Sequence, residues 1–263
     1  MEEKRSFRRG PREREDAADQ IEGRNAVSEA LKSGRTLDKV FVASGDTDRA
    51  LARLAALARE AGAAVVQVDR RRLDQMSATG AHQGIIALAA AHGYATVEEM
   101  LQRAADRGEA PLLILCDELT DPHNLGAILR SAECAGAHGV IIPKRRSVGL
   151  TAVVAKTSAG AVEHMPVARV ANLVSTMEDL KKAGLWIYGT DAAGTTDLYH
   201  ADFKGPAAIV IGSEGYGMSR LVAERCDVLV SIPMKGKINS LNASSAAAVL
   251  LYEAVRQRYT AAR

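Results

Sequence analysis

The stretch LLILCDELTDPHNLGAILRSAECAGAHGVIIP (residues 112–143) reads as strand, turn, helix and strand. LLILCD (112–117) is an unbroken apolar run ending in an acid, with no alternation of apolar and polar residues. A strand of that composition is buried on both faces. Pro122 marks a turn, and Asn124 stands where it can cap the helix that follows. Leu125, Ile128, Leu129 and Ala132 then recur along one helical face. GVIIP (139–143) is a second uniform apolar strand.

Downstream, the same pattern repeats. LWIYGTDA (185–192), AAIVIGSEG (207–215) and DVLVSIPM (227–234) read as further buried strands, and ASSAAAVLLYEAVRQRY (243–259) as a long Ala-rich helix. Apolar strands that alternate with helices predict a parallel sheet covered on both faces. Ligands of such sheets bind beyond the carboxyl ends of the strands. Here those ends carry Asp117, Thr190-Asp191, Gly212-Ser213-Glu214 and Pro233-Met234-Lys235-Gly236.

Upstream, residues 18–92 read as a smaller α/β domain. Ile21, Val27, Ala30 and Leu31 mark a helix that Gly34 stops. KVFVA (39–43), AAVVQVD (63–69) and GIIALAA (84–90) read as strands, with an amphipathic helix over 47–61. Residues 93–110 are polar, carry one helix-like stretch and read as a linker to a second domain at 111–263. Residues 1–16 hold six basic and five acidic residues and a single large apolar one, Phe7. Such a stretch buries too little surface to offset its ordering, which predicts a flexible charged tail over 1–17.

Composition limits the function. The 263 residues include 34 Lys and Arg against 32 Asp and Glu, for a net charge of +2, so any polyanion must be met by local patches. Aromatics make up only 4%, which argues against a base-stacking platform as the main binding device. Cys116, Cys134 and Cys226 are far apart, and no C-x-x-C occurs. A zinc site or disulfide framework is not expected, and a reducing cytoplasm fits best. The six histidines form no H-x-x-x-H, no metal cluster is visible, and no apolar run is long enough to span a membrane.

IVIGSEGYGMS (209–219) is a strand running into a glycine turn. Its G-x-x-G-x-G spacing is not the dinucleotide fingerprint, and no G-x-x-x-x-G-K-[ST] occurs. A carboxylate on such a turn, Glu214, is better placed for binding than for packing. SIPMKGKINSLNASSAAAV (231–249) puts Asn239, Ser240, Asn242, Ser244 and Ser245 before the last helix, more polar residues than capping needs. Arg130 reads equally as a solvated arginine or a functional one, and His123 as a turn residue. Two basic clusters, Arg70-Arg71-Arg72 and Lys144-Arg145-Arg146, read equally as phosphate contacts or solvated loops.

Taken together, DPHNLGAILRSAECAG, IVIGSEGYGMS and SIPMKGKINSLNASSAAAVLLYE resemble, in order and spacing, the three signature motifs of the SpoU (TrmH) branch of the SPOUT RNA 2′-O-methyltransferases. IEGRNAVSEAL…KVFVA resembles that branch's L30e-like RNA-binding domain. The resemblance spans residues 18–260. It implies a parallel-sheet α/β catalytic domain whose C-terminal segment is threaded into a deep trefoil knot, and a homodimer. Within the family, the chain most resembles enzymes that methylate a guanosine ribose in the peptidyl-transferase P loop of 23S rRNA.

The resemblance further implies S-adenosylmethionine as methyl donor, held by Thr190, Gly212, Ile232, Met234 and Leu241. Asn124, Arg130, Glu214, Ser240 and Asn242 match the family's polar catalytic positions. An arginine stays protonated, so Arg130 suits a phosphate and a developing alkoxide better than general-base work. Three other readings stay open: the same chemistry on tRNA, a non-catalytic RNA-binding ribosome-assembly factor, and a nicotinamide-dependent oxidoreductase.

Overall fold

The structure, a computed structural model, describes residues 20–45 and 48–261. The tail expected over 1–17 lies outside the described residues. The chain divides into two units. One ends at Gly93 and takes in Leu150–Val153; the other comprises Tyr94–Gly149 and Val154–Arg263.

The first unit contains β1 (Gln20–Glu22), α1 (Arg24–Lys32), β2 (Leu37–Ala43), α2 (Arg49–Glu60), β3 (Ala64–Val68), α3 (Arg70–Met76) and β4 (Ile85–Ala89). Its sheet has the order β1-β4-β2-β3, with β2 and β3 parallel and β4 antiparallel to both its neighbours. Alternation along β2 sends Val40 and Val42 to one face and Phe41 and Ala43 to the other. The first pair packs with Val27 of α1 and Leu51, Leu54 and Ala58 of α2. The second pair packs with Leu73 and Met76 of α3. The Arg70–Arg72 cluster therefore forms the first turn of a helix, capped by Asp69, and not a loop.

The second unit holds α4 (Val97–Asp106), β5 (Leu112–Cys116), α5 (Pro122–Cys134), β6 (Gly139–Pro143), most of α6 (Ala152–Thr157), β7 (Val167–Val170), α7 (Leu173–Lys182), β8 (Trp186–Thr190), β9 (Thr196–Asp197), β10 (Ala207–Ile211), α8 (Arg220–Glu224), β11 (Val228–Ser231) and α9 (Ala243–Ala261). Its seven strands are all parallel, in the order β7-β6-β5-β10-β8-β11-β9. The buried strands β5 and β10 are the uniform apolar runs of the sequence. One face packs Leu113, Leu115, Ile187 and Val210 against Met100, Leu173, Met177 and Val222. On the other face α5 and α9 lie together. Arg258 of α9 donates to the carbonyls of Ala110, Pro111, Phe203 and Gly205, pinning that helix below β5 and β10.

The stretch expected as a linker, 93–110, is corrected by the structure. Thr96 and Glu99 form a capping box that starts α4, and Met100 and Ala104 are fully buried in the second unit. A Cβ on Gly139 would lie 2.2 Å from the Met100 sulfur, so β6 begins with a glycine where α4 presses on it. Polarity concealed this, because α4 buries a narrow stripe and leaves its charges in water.

Candidate active site

Helix α5 starts one turn earlier than its apolar pattern suggests. Asp121 is its cap, accepting the His123 N–H at 2.9 Å, and Pro122 fills the first helical position, which needs no donor. Asn124 is thus not the cap. Its side chain is released for another role, and it is 96% buried.

That role lies across the strand ends. Asn124 Nδ2 donates to Glu214 Oε1 at 2.7 Å, and Asn242 Nδ2 donates to the Asn124 Oδ1 at 2.9 Å. Asn242 Nδ2 also donates to Glu214 Oε1. The other end of the Asn242 amide caps α9, its Oδ1 accepting Ser244 N at 3.0 Å, Ser245 N at 3.2 Å and Ser244 Oγ at 2.6 Å. A residue 118 positions away thus fixes Asn124, and both amides aim their donors at one carboxylate.

Glu214 is held by its own turn. Ser213 N donates to Gly217 O at 2.9 Å and Gly217 N to Ser213 O at 3.0 Å. Asp117, at the end of β5, accepts the Ser219 N–H at 2.7 Å and fastens the far side of the loop. A Cβ on Gly212 would come 2.2 Å from the Gly217 carbonyl carbon, so this position must be glycine for the turn to fold back. Together these elements border a cleft of about 490 Å³ lined by Asn124, Glu214, Glu118, Arg146 and Tyr216, among others.

The remaining sequence candidates are placed differently. Arg130 is exposed on α5, about 240° around the helix from Asn124, and makes no hydrogen bond or ion pair with a described residue. Ser240 is exposed and stands outside the amide network. Of the basic cluster, Arg146 borders the cleft and pairs with Glu118 at 2.8 Å; both residues are in the left-handed backbone region. The ion pair holds the Arg146 guanidinium above its ordinary range. Arg145 is exposed and Lys144 half-buried. Arg70, Arg71 and Arg72 are exposed in the first unit. Glu118 and Tyr216 border the cleft without having been singled out in the sequence. Both lie inside sequence motifs, Glu118 beside the acid that ends β5 and Tyr216 on the glycine turn.

Residues 111–252 match the SpoU rRNA Methylase family, and residues 20–95 match the RNA 2′-O ribose methyltransferase substrate binding family. The chain belongs to the SpoU (TrmH) family of RNA methyltransferases. It is 50% identical over 240 residues to the Bacillus subtilis (strain 168) protein YacO, named for the TrmH family tRNA/rRNA methyltransferases; the match covers 91% of this chain and 96% of that one. The crystal structure of the SpoU methyltransferase AviRb from Streptomyces viridochromogenes, in complex with the cofactor AdoMet, superposes with a TM-score of 0.59 at 27% identity, covering 95% of both chains. An rRNA methyltransferase from Sinorhizobium meliloti superposes with a TM-score of 0.54 at 25% identity, over 92% of this chain and 88% of that one. The SpoU family member is an S-adenosylmethionine-dependent RNA 2′-O-methyltransferase. No described helix is long and apolar enough to cross a membrane.

The residues expected at the cofactor suit it. Thr190, Gly212 and Ile232 stand at the carboxyl ends of β8, β10 and β11, and β8 lies between the other two. Met234 and Leu241 belong to the irregular segment 232–241, whose backbone makes no hydrogen bond with a described residue. Unspent peptide groups beside half-exposed Ile232, Met234 and Leu241 match a ligand that is part adenine and part thioether.

Proposed function

We propose that this enzyme methylates the 2′-hydroxyl of a guanosine ribose in 23S rRNA, within the peptidyl-transferase P loop. The observation that carries the ribose chemistry is the half-used carboxylate. Glu214 Oε1 takes two amide donors, whereas Oε2 makes no hydrogen bond with a described residue and Glu214 borders the cleft. A hydroxyl entering the cleft meets an acceptor already fixed in direction. The rRNA assignment draws on the match of residues 111–252 to the SpoU rRNA Methylase family and on the likeness to the Sinorhizobium meliloti rRNA methyltransferase.

S-adenosylmethionine, held by Thr190, Gly212, Ile232, Met234 and Leu241, supplies an electrophilic methyl group. The chain's own task is to align the oxygen in line with it, since positioning accounts for much of the rate in such a transfer. Glu214 orients the hydroxyl, and Asn124 and Asn242 keep Glu214 in place. Ser240, two residues before Asn242, offers its hydroxyl to the bound ribose. Arg130 binds the adjacent phosphate and stabilises charge developing on the ribose oxygen. A cation cannot do both from the outer face of α5 without RNA or a second subunit beside it. A homodimer answers this, and exposed Val249, Tyr252 and Tyr259 form an apolar stripe along α9 that suits one. The reading includes the family's knot, consistent with β10 lying between β5 and β8, and a cytoplasmic setting. Arg70, Arg71 and Arg72 and Lys144, Arg145 and Arg146 hold the RNA backbone. Three cations in the first turn of α3 oppose its helix dipole, a cost that a bound phosphate removes.

A tRNA substrate is the second reading, favoured by the name of the Bacillus subtilis relative, which covers both RNAs. Mapping ribose methylation across 23S rRNA and tRNA in a deletion strain and its complemented control decides. A lost 23S guanosine mark restored by complementation is the expected result. Loss confined to tRNA establishes the second reading, and loss of no mark overturns both.

A further inference from the structure

Tyr216 has no part in the reaction described so far. It is 94% exposed, the largest exposure among the large apolar side chains of the described residues. Its backbone is nevertheless firmly set. The turn Ser213–Gly217 is closed by reciprocal backbone hydrogen bonds of 2.9 and 3.0 Å, with Ser213 Oγ donating to Gly217 O at 3.2 Å. Gly215 and Gly217 flank it at φ +87° and +67°, conformations that let the chain reverse around Tyr216. Two residues earlier on the same turn stands Glu214, tied to Asn124 and Asn242.

A ring held out in water on a braced turn contributes nothing to folding by burial. It does suit binding, because a tyrosine has only two side-chain torsions to immobilise. The cleft it borders carries polar side chains that can meet a ribose and its phosphate, among them Glu118, Asn124, Arg146 and Glu214. Among the described residues that line the cleft, Tyr216 is the one aromatic ring, and it shares that lining with exposed Glu214. Sequence-specific RNA recognition targets single-stranded loops, whose nucleotides can leave the helical stack and present their riboses freely. The base then loses a neighbour on at least one face, and aromatic side chains commonly replace it.

We infer that Tyr216 stacks on an unpaired nucleobase of the RNA, at or next to the methylated nucleotide, and thereby sets its ribose against Glu214. The inference rests on the ribose-methylation reading above. It also qualifies the low aromatic content. A single ring at the reacting nucleotide is enough, while the rest of the RNA is held through phosphates.

The test compares Tyr216→Ala, Tyr216→Leu, Tyr216→Phe and Tyr216→Trp in the full-length protein. Three readouts apply: methyl transfer to a 23S rRNA transcript, S-adenosylmethionine affinity, and quenching of a 2-aminopurine base placed at the target position of an RNA oligonucleotide. A stacked base contributes roughly a ten- to hundredfold effect. Tyr216→Ala and Tyr216→Leu should raise the KM for RNA by about that much and lose the quenching, with cofactor affinity within about twofold. Tyr216→Phe and Tyr216→Trp should retain both.

An unchanged KM in Tyr216→Ala overturns the inference. So does full rescue by leucine, which would mark a merely apolar contact, or a parallel loss of cofactor affinity, which would place the ring on the cofactor. If the unaltered protein methylates no RNA ribose, the underlying reading fails and takes the inference with it. If it does methylate one while Tyr216→Ala is indistinguishable, only the stacking role fails.

Discussion

Two glutamates gather donors in the two units of the chain. Glu22, in the first unit, accepts from Gln20 Nε2 at 2.6 Å, Ser77 Oγ at 2.6 Å and Thr79 N at 3.2 Å, and also from Ala78 N and the Thr79 hydroxyl. Both of its oxygens are used. Burial works against the charge, but the bonds from Ser77, Thr79, Ala78 and Gln20 outweigh it and hold the carboxyl at about 2. Glu214, in the second unit, spends one oxygen on two amides and leaves the other toward a cleft. A saturated carboxylate is a fastener, here closing the 77–80 loop onto β1. A half-saturated one, braced by buried Asn124 and exposed Asn242, has bonding capacity left for a ligand.

The largest expected effect lies outside both glutamates. Arg130→Ala should abolish tritiated-methyl transfer to rRNA while S-adenosylmethionine affinity stays within a few-fold; near-normal turnover would remove Arg130 from the site. Glu214→Gln keeps the shape and one oxygen to accept from Asn124 and Asn242, but replaces the other, free acceptor by an amide donor. Turnover should fall on the order of a hundredfold with little change in thermal stability, in keeping with the loss of a positioning group.

Glu22→Gln should show the reverse, with stability lowered by about 1.5–3 kcal/mol, as for hydrogen bonds to a charged group, and turnover at saturating RNA unchanged. Chemical denaturation read by far-UV circular dichroism checks it. Equal destabilisation by both variants would break the comparison. The pH dependence sharpens it. The folded-state value of Glu22 lies below its ordinary 4.5, so its contribution is present above about pH 4.5 and is lost as pH falls toward 2. The stability difference between the native protein and Glu22→Gln should therefore shrink over that window.

Smaller effects concern charge. Replacing Lys144, Arg145 and Arg146 together by alanine should weaken RNA binding by about tenfold at moderate salt and flatten its salt dependence by up to about three phosphate contacts. Smallest is the contribution of His138. Burial lowers its basicity, against the opposing hydrogen bond to Glu109 at 3.0 Å, and its Nδ1 accepts the Leu112 N–H at 3.0 Å. Its neutral form is the folded one, so stability is full above about pH 6.5 and declines as pH drops below it. His138→Asn should lose that slope in melts between pH 7 and pH 5.5.

Much of the fold was legible because its signals are local. β5, β6 and β10 are unbroken apolar runs, and only a sheet covered on both faces accommodates several of these. The clustering of polar residues at their carboxyl ends was legible for the same reason. Helix α4 was misjudged because half of its surface faces water, and what decides its place is a glycine 39 residues away from Met100, at position 139. Asn124 is not the cap the sequence predicts because Asp121 and Asn124 compete for it, and Asp121 followed by Pro122 caps the helix.

Residue order by itself determined the alternation of strands and helices, the parallel sheet, the polar strand ends and the three motifs. These follow from periodicity and backbone preference, which act over a few residues. Tertiary structure alone decided that Asn124, Glu214 and Asn242 meet, that Arg130 and Ser240 stand apart from them, and that Glu22 is saturated while Glu214 is not. Hydrogen bonds between residues 90 and 118 positions apart depend on how strands are ordered in a sheet, and no local pattern encodes that order.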